Sequence, residues 1–189
     1  MYYHRLDVRR AITDFANAGE SGSFREGAFY NSRAKSLQRY FNEGEARRPV
    51  VLGKPGELDH ALRLGASAFY CSNWRYQGQD FSHPTGRDLV WIVRAKRGGL
   101  EFAKAVTAWI LEALAGAGVP EPWVKYSGDL GFDLVIPLEM IPCEAVVGDL
   151  DSLAGLQEEL TSYIGSYLRD RFPGVAVGGI TSPIEIRKD

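Results

Sequence analysis

The chain has 189 residues and a mass of 20.9 kDa, which suits one domain of 50–250 residues, or one with a small appendage. Hydrophobic residues make up 45% and charged residues 24%, values that exclude a disordered or fibrous chain. Twenty-two Lys and Arg against 24 Asp and Glu leave a net charge of −2, which excludes a strongly basic nucleic-acid coat but leaves room for a local basic patch. Two cysteines, Cys71 and Cys143, are too few for a disulfide scaffold or a four-thiolate zinc site and point to a reducing, cytoplasmic compartment. The polar, basic stretch Met1–Arg10 has no apolar signal segment behind it, and no apolar run reaches the roughly 18 residues a membrane helix needs.

In chain order, Leu6 to Ala18 predicts an amphipathic helix with Leu6, Ile12, Phe15 and Ala16 inward, closed by Asn17-Ala18-Gly19. Phe24 to Tyr30 reads as a strand. Between Asn31 and Gly44, Leu37, Tyr40 and Phe41 stand at helical spacing. Arg47-Arg48-Pro49 reads as a breaker before the apolar Val50-Val51-Leu52. Gly56 to Leu64 predicts a helix stopped by Gly65, and Ala66 to Ser72 a buried strand. Tyr76 to Gly86, rich in Gly, Gln, Ser and Pro, reads as an exposed loop.

Asp88 to Ala95 contains Leu89-Val90-Trp91-Ile92-Val93 and predicts the clearest strand, followed by a Gly98-Gly99 turn. Leu100 to Ala117 predicts a helix with Phe102, Val106, Trp109, Ile110 and Ala113 on one face, ended by Gly116 and Gly118. Trp123–Tyr126 and Phe132–Leu138 flank a Ser-Gly-Asp-Leu-Gly turn. Leu153 to Phe172 predicts a second long helix, with Asp151 or Ser152 as its N-cap. The expected class is α+β, with helices packed on a mixed central sheet containing Ala66–Ser72, Asp88–Ala95 and Phe132–Leu138. A single domain is expected, with an N-terminal part over about 1–65, a core over about 66–172 and a short tail over 173–189.

Several patterns carry candidate chemistry, each beside a plain structural reading. His4, His60 and His83 lack ligand spacing and read as exposed histidines. Asp149 and Asp151 would share a face of a strand, but an N-cap explains them more economically. The turn Ser127 to Gly131 can present backbone N–H groups to a phosphate, or be a plain hairpin turn. Arg94, Lys96 and Arg97 form either a solvated strand end or a phosphate-contacting patch. Trp74, between Asn73 and Arg75, is the tryptophan placed to stack on a base. Cys71 reads as a core thiol.

Together, Arg25-Glu26-Gly27-Ala28-Phe29, Arg48-Pro49-Val50-Val51-Leu52, Gly65-Ala66-Ser67-Ala68-Phe69-Tyr70-Cys71-Ser72, Asp88 to Ala95 and Lys125 to Glu139 resemble, in this order, segments of the archaeo-eukaryotic primase superfamily. That superfamily includes the archaeal small primase subunit and the polymerase domains of bacterial end-joining ligases. The resemblance runs from about Tyr2 to about Leu168. It implies a primase small-subunit-like fold with an RRM-like core, Asp88–Ala95 as the catalytic strand, and Lys125–Glu139 as the nucleotide-binding hairpin.

The departures from the family pattern are chemical. Two metal-binding aspartates of the family strand fall here on Ile92 and Arg94, and the hairpin histidine falls on Asp133. Leu130 stands where relatives commonly carry a basic residue. Two-metal nucleotidyl transfer needs carboxylates around both cations. Ile92 offers no donor, and a guanidinium about 4 Å from a unit positive charge repels it by ~4 kcal/mol at an effective dielectric near 20. The resemblance therefore implies a degenerate, non-catalytic primase-like domain, an accessory or scaffold in replication or repair, without cofactor.

Two other readings stay open. One is an active nucleotidyltransferase using Mg or Mn held by relocated acids, drawn from Asp88, Asp149 and Asp151. The other is a single-stranded nucleic-acid binding module, with Arg75, Arg87, Arg94, Lys96 and Arg97 on phosphates and Trp74 or Tyr76 stacking. Residues expected to retain nucleotide or nucleic-acid contacts are Lys125, Ser127, Gly128, Gly131, Arg94, Lys96, Arg97, Arg75 and Trp74. The implied partners are replication or repair proteins, with DNA beside them and no membrane, and with oligomeric state left open. Arg94 and Asp133 are expected within salt-bridge reach, a single compensated change.

Overall fold

Alternation along Leu89–Arg94 puts Leu89, Trp91 and Val93 on one face of a strand, and all three are buried while Val90, Ile92 and Arg94 are half-buried. This alternation with period two is the signature of a sheet with one face committed to a core. The computed structural model describes residues 2–17, 23–44, 46–78, 81–94, 99–127, 131–142 and 150–172. It is α+β, as the sequence implies, and divides into two units, Met1–Arg87 and Asp88–Asp189.

Among the described residues of the first unit, α1 (Leu6–Ala16) and α2 (Glu57–Leu64) accompany eight short strands. These are β1 (Ser23–Phe24), β2 (Gly27–Asn31), β3 (Ser36–Gln38), β4 (Tyr40–Glu43), β5 (Ala46–Pro49), β6 (Ala66–Cys71), β7 (Trp74–Gln77) and β8 (Pro84–Arg87). They form sheets of order β1-β7-β8 and β3-β2-β6 and the pair β4-β5, each strand pair antiparallel. Ala16, Phe29, Phe41, Val50, Leu52, Leu58 and Ala61 make the core, with the Phe29 and Phe41 rings stacked at 5.6 Å.

Several expectations are corrected here. Phe24–Tyr30 is two strands in two sheets. Asn31–Gly44 holds β3 and β4, not helical turns, and Arg47-Arg48-Pro49 lies within β5. Pro49 is tolerated there because β5 ends at it, where a ladder can lack one N–H donor. The stretch Tyr76–Gly86 takes part in the β7–β8 hairpin, since cross-strand pairing overrides a loop-like composition. Strand β6 is half-exposed with Tyr70 outward, because it closes the edge of its sheet. Leu6 is exposed rather than in the core, and His60 packs edge-on to Phe41 at 4.6 Å instead of facing solvent.

The second unit runs β9 (Leu89–Arg94), α3 (Gly99–Gly116), β10 (Trp123–Tyr126), β11 (Gly131–Ile136) and α4 (Leu150–Arg171). The sheet is antiparallel, of order β10-β11-β9. This β-α-β-β-α succession is that of a split βαβ unit. It places β9 beside β11, while β6 pairs with β2 in the other unit.

Helices α3 and α4 bury Ala103, Thr107, Ile110, Ala113 and Leu114, and Leu153, Ile164 and Leu168, at spacings that keep each set on one helical stripe. Phe102 is exposed, on the other side of α3. Trp91 is fully buried, and its indole N–H donates to Thr161 Oγ1 at 2.9 Å. The Gln157 side-chain amide donates to the Val90 carbonyl at 2.8 Å. Helix α3 ends in a Schellman arrangement: Val119 N–H donates to Leu114 O and Gly118 N–H to Ala115 O. Gly118 takes φ +75°, which a Cβ would strain. Asp151 lies in the first turn of α4 rather than before it. No described helix is long and apolar enough to cross a membrane.

Candidate functional site

The ladder register brings the singled-out positions of the second unit together. Lys125 on β10 and Ile92 on β9 both stand directly opposite Asp133 on β11, and Arg94 stands opposite Gly131. Period two puts all five on one face, the face opposite Trp91 and Leu134. Arg94 Nη2 donates to Asp133 Oδ1 at 3.0 Å, with the side chains 34% and 19% exposed. Lys125 Nζ lies 3.9 Å from the other carboxylate oxygen but is largely in solvent. Asp133 thus sits between two cations, one held and one loosely associated.

Gly131 makes this geometry possible. A Cβ there would lie 2.1 Å from the Val93 carbonyl oxygen and 2.7 Å from Arg94 Cδ. Arg94 fills that space, and its Nη1 also donates to the carbonyls of Val93 at 3.2 Å and Phe132 at 3.4 Å. The Ser127 hydroxyl donates to the Gly131 carbonyl at 2.9 Å, and its backbone N–H donates to the same oxygen at 3.1 Å. Ser127 therefore closes its own hairpin. Gly128, Asp129, Leu130, Lys96 and Arg97 lie outside the described residues, as does Asp149.

Trp74 and Arg75 belong to the first unit. Arg75 is buried, 3% exposed, whereas a phosphate contact asks for a guanidinium at the surface. Trp74 is half-buried, with the Arg87 guanidinium 5.4 Å from its ring centroid. Tyr76, the other aromatic considered for stacking, titrates above its ordinary value. Burial is the main cause and the Glu26 charge adds to it, while Arg39 opposes.

The segments that carry the primase resemblance in the first unit have structural work. Arg25 is buried, donates from Nε to the Phe15 carbonyl at 2.8 Å and lies 4.4 Å over the Phe15 ring. Arg48 pairs with Glu57 at 2.8 Å and covers Phe41. A Cβ on Gly27 would meet the Val50 carbonyl at 2.8 Å.

Ile92 has no donor atom, and Arg94 places a fixed positive charge beside the Asp133 carboxylate. This donor set does not fit a pair of divalent cations. Among the described residues no three His, Cys, Asp or Glu side chains gather as a cation site. Asp88 is buried, and its Oδ1 accepts the Leu138 backbone N–H at 3.1 Å, so it anchors the segment after β11. The sequence reading missed this anchor, although a lone acid before an apolar strand was a visible sign of it.

No protein-family model matches the chain, and no curated protein matches it. Among solved structures, it is similar to the polymerase domain from Mycobacterium tuberculosis Ligase D in complex with DNA, with a TM-score of 0.54 and 12% identity. The likeness is one of fold. The match covers 85% of this chain, and the chain spans 63% of that structure.

Proposed function

We propose that the chain is a primase-like domain without nucleotidyl-transfer activity, acting as an accessory or scaffold in DNA replication or repair. The Arg94–Asp133 ion pair carries this reading. It occupies the strand and hairpin positions where the family resemblance puts metal-binding and nucleotide-contacting groups, and Ile92 completes the face without a ligand atom. A triphosphate approaching this face would meet the Asp133 carboxylate, and a divalent cation would meet Arg94. The relocated-acid alternative draws little support, since Asp88 is tied to the Leu138 backbone and Asp151 belongs to the α4 first turn.

The test is primer synthesis and nucleotide incorporation by the purified chain with magnesium or manganese, alongside calorimetric titration of nucleotide. Near-UV circular dichroism confirms a folded sample. The expected outcome is no product above the protein-free control. Metal-dependent product from the chain overturns the reading.

A further inference from the structure

Charge is divided unevenly between the two units. Residues 1–87 hold thirteen Lys and Arg against nine Asp and Glu, a net of +4, while residues 88–189 hold nine against fifteen, a net of −6. The near-neutral total conceals this asymmetry, which is a pointer to polyanion binding when one half is basic.

Within the first unit the imbalance has a location. No acidic residue occurs from Gly27 to Asn42 or from His60 to Gln79, the stretches that build the β3-β2-β6 sheet and the C-terminal end of α2. The Ser32 backbone N–H and hydroxyl both donate to the Gly65 carbonyl at 3.0 Å, which fastens the β2–β3 turn to the end of α2. The Arg33 side chain lies against Gly65, and Asn31 Oδ1 accepts the N–H groups of Arg33 and Ala34 and shapes the turn.

This fastening places Arg33, Lys35 and Arg63 at one end of the sheet, all exposed. Of the other surface cations of this unit, Arg5 pairs with Asp7, Arg9 with Asp59, Arg39 with Glu26 and Arg48 with Glu57, while Arg10 on α1, Arg47 on β5 and Lys54 pair with no carboxylate among the described residues but belong to other elements. Among the described residues no carboxylate pairs with Arg33, Lys35 or Arg63. Their position at the C-terminal end of α2 complements the helix dipole, yet that interaction is weak and screened and leaves the charges available to solvent.

We infer that Arg33, Lys35 and Arg63 form a binding site for the phosphodiester backbone of a nucleic acid, separate from the β9–β11 face. The choice of nucleic acid among polyanions rests on the DNA-associated role proposed above. The site itself rests on charge and position, and works whether or not nucleotidyl transfer is retained.

Three phosphate contacts on a single strand give a log–log salt slope of about −2, or about 20-fold weaker binding between 50 and 200 mM salt. Fluorescence anisotropy of a labelled 15-nucleotide oligothymidylate, and of a duplex of the same length, measures this with the full chain. The triple variant Arg33→Gln, Lys35→Gln, Arg63→Gln should keep its melting temperature and lose most of the slope. Lys104→Gln, on α3, should change neither. Salt-dependent binding to either probe that the triple variant loses supports the site, and the preferred probe identifies the form of nucleic acid. Absence of binding by the parent chain, or a slope unchanged in the triple variant, overturns it. So does sedimentation showing that the same cations serve only self-association with the acidic unit of a second copy. Nucleotide incorporation is a separate readout, so a catalytic chain would defeat the proposed function without touching this site.

Discussion

Arg94 reaches Asp133 diagonally across the β9–β11 ladder, two residues away from the position directly opposite, because Gly131 carries no Cβ and leaves that space to the Arg94 side chain. The pair is neither fully enclosed nor fully exposed. Exposed pairs are worth below about 1 kcal/mol, and removing one partner of a buried pair costs about 3–5 kcal/mol. Asp133→Ala should therefore cost on the order of 1.5 kcal/mol in urea denaturation. A double-mutant cycle with Arg94→Met should show coupling of about 1 kcal/mol. Additive effects would mean that the contact contributes nothing.

Gly131→Ala should be the most damaging single-methyl change in the second unit. Its Cβ would stand 2.1 Å from a backbone oxygen, which no side-chain rotation relieves. A loss of about 3 kcal/mol is expected, at the upper end for overpacking, together with loss of the Arg94 contact. A melting temperature within a degree or two of the parent would contradict it.

The Trp91–Thr161 hydrogen bond makes a polar prediction inside an apolar core. Thr161→Val keeps the volume but leaves the indole N–H of a fully buried tryptophan without its acceptor. The expected cost is about 1–3 kcal/mol, read by chemical denaturation. Thr161→Ser keeps the acceptor and should cost less.

Alkaline pH should weaken the first unit. Tyr76 and Tyr3 are both held above their ordinary value near 10, mainly by burial, so the folded state favours the neutral phenol. The unfolded chain loses these protons first as pH rises. The stabilisation is complete below the unfolded pKa and fades as pH climbs through the folded one. Tyr76→Phe should flatten the decline in stability above about pH 10, followed by denaturant midpoints at stepped pH. An unchanged decline in the variant would show that Tyr76 does not contribute.

Long apolar periods were legible in the sequence. The Leu89–Val93 strand and the α3 and α4 helices emerged because each repeats its apolar residues over enough positions to fix both type and face. The short strands β3, β4, β7 and β8 did not. Each has three or four residues, and their identity comes from partners distant in sequence, as with Trp74 opposite Arg87. The Arg94–Asp133 contact was readable because two unusual charges fell on neighbouring strands. The basic end of the β3-β2-β6 sheet was overlooked because net charge was read over the whole chain. The absence of acids from 27 to 42 and from 60 to 79 was there to be seen.

Among the described residues, strand β10 ends its sheet, with Trp123, Val124, Lys125 and Tyr126 all exposed. Such an edge presents unpaired backbone groups, and three large apolar side chains would reward any strand that docked there. Lys125 stands in the middle of that row. A docking strand would have to strip water from its ammonium group, with the Asp133 carboxylate at 3.9 Å its one described ionic partner. The desolvation cost of the lysine thereby opposes edge-on pairing with another strand. Replacing it with valine would leave four consecutive apolar residues along an open edge, trading solubility for adhesion.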